Sequence, residues 1–174
     1  MRRRHIGSGF FGLVLLALPL AGCSTAGFGV PGTFGPGPSP TASAGIPNSG
    51  NPVAMQALAD ARGHFRNNDF GDSAALYEKV VELTPKDPEG YVGLAASYDR
   101  LGRFDLADRA YGTLFKLTGG TAQYYNNLGY SYLLRGNLTA AAANFRSAQQ
   151  LEPQNTVIAN NLQILANAAN GAKA

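Results

Sequence analysis

In a chain of 174 residues, fourteen basic side chains stand against eleven acidic ones, a formal charge of +3. Three of the basic residues, Arg2, Arg3 and Arg4, precede an apolar run; without them eleven basic residues balance eleven acids, too even a balance to point to the clustered basic surface that nucleic-acid binding needs. The only cysteine, Cys23, excludes an intramolecular disulfide and a cysteine-rich metal site.

The chain opens with the layout of an export signal. Arg2 to Arg4 form the charged start, and Phe10 to Leu20 supply an apolar stretch too short to cross a bilayer. Directly after it, Leu20-Ala21-Gly22-Cys23 resembles the lipobox of bacterial lipoproteins. The resemblance implies that residues 1–22 are cut away, that Cys23 is acylated through a thioether, and that the new amino terminus is acylated as well. A single chain binds a membrane marginally, at about 0.8 kcal/mol per buried methylene, so more than one makes the anchor durable. The competing reading is an ordinary signal peptide with an incidental cysteine beyond the cut. Residues 23–52 then read as a tether. Glycine, proline, serine, threonine and alanine dominate, no charge appears, and no apolar period persists. Disordered, such a segment has a root-mean-square span of about 30 Å, enough to clear the lipid head groups. The alternative is that Phe28, Val30 and Phe34 pack onto the domain.

From residue 53 to 170 the chain repeats with a period of 34 residues. With Ala54, Pro88 and Ala122 as starts, Ala61, Ala95 and Gly129 fall together where paired helices approach closely and a large side chain would force them apart. Asn68-Asp69-Phe70, Gly102-Arg103-Phe104 and Gly136-Asn137-Leu138 coincide as turns, each followed by an apolar residue. Ser73, Ala107 and Ala141, then Tyr77, Tyr111 and Phe145, then Val80, Leu114 and Ala148 form one face of each second helix. Asn51-Pro52, Asp87-Pro88 and Thr121 predict helix starts, whereas Pro85 and Pro153 end the first and third copies. The second copy ends on Gly119-Gly120, which predicts a looser joint. Thr156 to Ala169 is expected to be a closing helix with Val157, Ile158, Leu162 and Leu165 on its packed side and Asn160 and Asn161 elsewhere.

This pattern resembles the tetratricopeptide repeat family. It implies an all-α fold, a tetratricopeptide superhelix of three helix hairpins plus a C-terminal capping helix, with a concave groove for a peptide or partner helix. By that resemblance the groove is lined by Leu58, Arg62, Phe65 and Arg66, by Val92, Ala96, Asp99 and Arg100, and by Asn126, Tyr130, Leu133 and Leu134. The arginines would hold an acidic group by charge-assisted hydrogen bonds. The family's carboxylate clamp for chaperone tails is absent, because its positions carry Leu58, Arg62, Gly93, Gln123 and Asn127. Asn126-Asn127 and Asn160-Asn161, one period apart, have two readings: amides offered to an extended peptide backbone, or amides that brace the hairpins.

Catalysis has little support. His5 leaves with the signal, His64 is expected to replace a core tyrosine equivalent to Tyr98 and Tyr132, and Asp69 and Asp72 are expected to cap a helix. No metal-ligand spacing or phosphate-binding glycine loop occurs, so no cofactor is expected beyond a covalent lipid on Cys23. Asn126-Asn127-Leu128-Gly129-Tyr130-Ser131-Tyr132-Leu133-Leu134 resembles TadD-type lipoproteins of the tight-adherence (Flp) pilus system. The implied role is that of a pilotin: a non-enzymatic scaffold held to the outer membrane by its lipid and facing the periplasm. Its partner would be a secretin subunit, and no nucleic acid is involved. Ser24 agrees with outer-membrane sorting, since the aspartate that commonly signals inner-membrane retention is missing. The alternative is an adaptor for cell-wall hydrolases or envelope assembly complexes.

Overall fold

The computed structural model describes residues 50–171. The expected signal segment 1–22, Cys23 and nearly all of the tether lie outside the described residues. Among the described residues there are seven helices and no strand: α1 (Pro52–Arg66), α2 (Phe70–Leu83), α3 (Pro88–Arg100), α4 (Phe104–Thr118), α5 (Ala122–Leu134), α6 (Leu138–Leu151) and α7 (Thr156–Gly171). The all-α fold expected from the period is therefore the fold observed, with helix ends within two residues of the expected boundaries.

Each first helix starts where a side chain satisfies its free amides. Asn51 Oδ1 accepts from the Val53 and Ala54 amides at 3.0 and 3.3 Å, Asp87 Oδ1 from Glu89 at 3.0 Å, and Thr121 Oγ1 from Tyr124 at 3.1 Å. Each hairpin then reverses through one left-handed residue, Asn68 (φ 65°), Gly102 (φ 70°) or Gly136 (φ 73°). The amide after it closes the helix end on a carbonyl five residues back, Asp69 to His64 at 2.9 Å, Arg103 to Tyr98 at 2.8 Å and Asn137 to Tyr132 at 2.9 Å. Asparagine serves at the first turn because its short polar side chain tolerates this backbone region.

The predicted capping by Asp69 does not occur. No side-chain hydrogen bond reaches α2 from Asp69, although Asn137, with nearly the same backbone (φ −84°, ψ 76°), caps α6 through the Ala140 amide at 3.0 Å. Instead Asp69 and Asp72 carboxylates stand 3.6 and 3.8 Å from His64 Nδ1. His64 is likewise not a core residue. It lies half-exposed at the end of α1, and its equivalents Tyr98 and Tyr132 are half-buried too.

The repeated positions do form the core. Ala61, Ala95, Ser73, Ala107, Ala141 and Phe145 are fully buried, and Tyr77, Tyr111, Val80, Leu114 and Ala148 nearly so. Two glycines let helices approach closely within this core. A Cβ on Gly93 would stand 2.0 Å from the Tyr77 ring, and one on Gly129 would stand 2.7 Å from Phe145. The core is divided, however. One buried cluster runs across the first two hairpins, from Ala61 to Leu114, while Tyr130, Phe145 and Leu165, and separately Ala122, Ala148 and Ile158, belong to the third hairpin and α7.

Among the described helices, each first helix touches the next, α1 to α3, α3 to α5 and α5 to α7, whereas α2, α4 and α6 do not touch one another. The first helices are thus the inner layer of a curved stack and the second helices its outer layer.

Candidate functional site

The inner layer is the candidate groove, and the structure divides the residues expected there into two sets. Arg62, Phe65, Arg66, Arg100, Leu134 and Asn160 are exposed or half-exposed, and Leu58, Val92 and Leu133 are half-buried with their inner sides against the core. Ala96, Asp99, Asn126, Asn127, Tyr130 and Asn161 are buried, so their place on the groove surface is corrected.

Three arginines carry the charge of the accessible set. Arg62 pairs with Glu89 at the start of α3. The Arg100 guanidinium lies 4.2 Å over the Phe70 ring and donates to Asn68 Oδ1 at 3.4 Å, and Phe65 meets Phe70 edge-on at 5.3 Å. Their charge reaches inward. Burial pushes the Tyr77 hydroxyl above its usual range and Arg62 and Arg66 oppose this; burial does the same at Tyr130, opposed by Arg100. The arrangement offers cations beside aromatic and aliphatic surface, suited to an acidic group on an apolar segment.

The asparagines brace the helices. Asn161 Nδ2 donates to Asn126 Oδ1 at 2.8 Å, tying α7 to α5, and the Asn126 amide lies 3.5 Å from Asn127 Oδ1. The Asn127 carbonyl accepts from the Tyr111 hydroxyl at 3.1 Å. Asn161 therefore lies on the packed face of α7 beside Ile158 and Leu165, contrary to expectation, and Asn160 remains exposed. The Asn126 partner on α5 satisfies the Asn161 amide nitrogen while the buried Asn161 Oδ1 has no partner, and the apolar pattern of α7 alone does not reveal this meeting.

A second polar cluster was not expected from the sequence. The Asp99 carboxylate, fully buried, accepts from Ser131 Oγ at 2.6 Å and from the Tyr111 hydroxyl at 3.0 Å. Arg135 approaches it to 3.8 Å, donates to Ser131 Oγ at 2.9 Å, and forks onto Asp108 at 2.9 and 2.5 Å. Burial pushes the Asp99 carboxyl up to about 6, although the Ser131 and Tyr111 hydrogen bonds and the Arg135 charge pull the other way, and Asp108 adds to the rise. Burial and the neighbouring Asp99 likewise hold Tyr111 well above its usual range. One sequence signal marks the site: Asp99 falls in register with Phe65 and Leu133, an acid in an apolar column. Among the described residues no group of three or more histidine, cysteine, aspartate or glutamate side chains is placed to hold a metal ion, and no helix is long and apolar enough to cross a membrane.

Comparison with known proteins agrees with this architecture. A Mycosarcoma maydis small glutamine-rich tetratricopeptide repeat-containing protein 2 is 24% identical over 105 residues, which is 60% of this chain and 30% of that protein, so the chain spans less than a third of this relative's length. Two solved structures share the fold. The first tetratricopeptide domain of Spaghetti (RPAP3), bound to the HSP90 peptide SRMEEVD, superposes with a TM-score of 0.58 at 20% identity over 68% of this chain and 94% of that one. The Yersinia enterocolitica type III secretion translocator chaperone SycD gives 0.58 at 17% identity, over 70% of this chain and 92% of that one. The tetratricopeptide repeat profile matches residues 58–107 and 93–156, more than half of the sequence. With that match, the recurring left-handed turns and the inner layer of first helices, the chain belongs to the tetratricopeptide repeat family.

Proposed function

We propose that the protein is a lipid-anchored interaction scaffold of the bacterial envelope, pilotin-like, which binds a secretin subunit and assists its localisation and assembly at the outer membrane for a tight-adherence pilus. Tetratricopeptide arrays are non-enzymatic scaffolds, so binding energy is the whole of the activity. The observation that carries the binding role is the inner face with Arg66 exposed and Arg62 and Arg100 half-exposed, Arg62 paired with Glu89 and Arg100 on Phe70, beside Phe65, Leu58 and Val92. Such a face suits an apolar segment carrying carboxylates, and the Spaghetti domain was solved with a short acidic peptide. The anchor rests on Leu20-Ala21-Gly22-Cys23 behind its basic and apolar start, and the pilus role on the resemblance of residues 126–134 to TadD-type lipoproteins.

The test is mass spectrometry of partners cross-linked in intact cells, with a Cys23→Ala variant as control. Enrichment of a secretin that depends on Cys23 is the expected outcome. Cell-wall hydrolases without a secretin would overturn the pilotin role in favour of an envelope adaptor using the same groove.

A further inference from the structure

The Asp99 cluster lies where the stack has few other fastenings. The connection from α4 to α5 is Gly119-Gly120, with Gly119 at φ 68°. The buried apolar core is interrupted here, and α5 reaches the first cluster through the half-buried Tyr124 and Leu128. Tyr124 packs edge-on to Tyr111 with ring centroids 6.2 Å apart. The polar chain from Asp108 through Arg135, Ser131, Asp99 and Tyr111 to Asn127 is therefore a principal tie between α3, α4 and α5.

When Asp99 is ionised, two links of that chain must share one hydrogen. The Tyr111 hydroxyl has a single hydrogen and two acceptors within reach, Asp99 Oδ2 at 3.0 Å and the Asn127 carbonyl at 3.1 Å. With a proton on Oδ2, the carboxyl donates to the Tyr111 oxygen and the phenol hydrogen goes wholly to Asn127. Ser131 still donates to Oδ1. Each link then has its own hydrogen, and an unbroken chain crosses from α3 through α4 to α5. We propose that the joint between the second and third hairpins is a proton-operated latch, closed when the Asp99 carboxyl carries a proton and loosened when it ionises.

The charged neighbours fit this assignment. From the end of α5, Arg135 favours ionisation but stands 3.8 Å away, with Nη1 and Nη2 donating to Asp108 and Ser131 and its buried Nε without a partner; from α4, Asp108 opposes ionisation. From α2, Ser73 and Tyr77 meet α3 at Ser97 and Gly93, Glu78 accepts from the Tyr98 hydroxyl and Phe70 lies against Arg100, and from α1, Arg62 reaches Glu89. Because the folded carboxyl holds its proton to about 6, above the ordinary 3.8, the added stability is complete below the ordinary value and is lost as pH rises through that interval. The latch does not depend on what occupies the groove, although α3 and α5 are both groove walls.

Hydrogen exchange of the full chain, corrected for its intrinsic pH dependence, reads the joint directly. Amides of α5 that open locally are expected to be up to roughly 10-fold better protected at about pH 5 than at about pH 7.5. Asp99→Asn supplies Tyr111 with a permanent donor and keeps an acceptor for Ser131, so its protection should be high at both pH values. Tyr111→Phe cuts the chain and should leave protection low at both. Protection independent of pH in the natural chain, or an unaltered pH dependence in Asp99→Asn, would overturn the latch. Should Asp99→Asn fail to fold, a carboxyl NMR titration of the natural chain decides. A midpoint near 6 with α5 amide shifts following it supports the proposal, and a midpoint in the ordinary carboxylate range overturns it.

Discussion

Ala95 has no solvent exposure and lies in the cluster that joins the first two hairpins, so there is no room beyond its methyl group. Ala95→Leu should overpack the site and destabilise the domain by about 1–3 kcal/mol, read as a lower thermal unfolding midpoint. An unchanged midpoint would refute the repeat register on which the fold rests. Small residues at 61, 95 and 129 were legible in the sequence because close helix approach leaves the same steric mark in every copy. Asp99 was not read correctly. Its register position suggested a groove-facing side chain, whereas hydroxyls from Tyr111 and Ser131, 12 and 32 residues away, make its burial tolerable. Partners so distant leave no local pattern.

At the scale of single helices, capping decides where each element begins, and it was only partly legible. Asn51, Asp87 and Thr121 cap as expected because an extended backbone turns each side chain back over the first turn. Asp69 has a capping residue's chemistry and nearly the backbone of Asn137, which does cap α6, but its carboxylate stands beside His64 instead. Thr121 is the sharper test because it follows the Gly119-Gly120 connection. Thr121→Ala should cost about 1 kcal/mol and raise hydrogen exchange chiefly in the first turn of α5. Equal loss of protection in all helices would mean that the third hairpin opens only with the whole domain.

In the whole molecule, each hairpin is stabilised by its neighbours, so function is distributed between an inner face that binds and a stack that sets its shape. The proposed tether and anchor are tested at this scale as well. A Cys23→Ala variant of mature size should leave the membrane fraction for the soluble one; if it still sediments with membranes, lipid is not what holds it. The sequence by itself determined the period, the turns, the small-residue contacts and the all-α stack, because these follow from local backbone geometry and sterics repeated every 34 residues. Only the tertiary structure decided which polar residues are buried: Asn161 on Asn126, and Asp99 between Tyr111 and Ser131. Whether a polar side chain faces solvent or the interior depends on a hydrogen-bond partner brought from another helix, and a one-dimensional pattern does not contain that meeting.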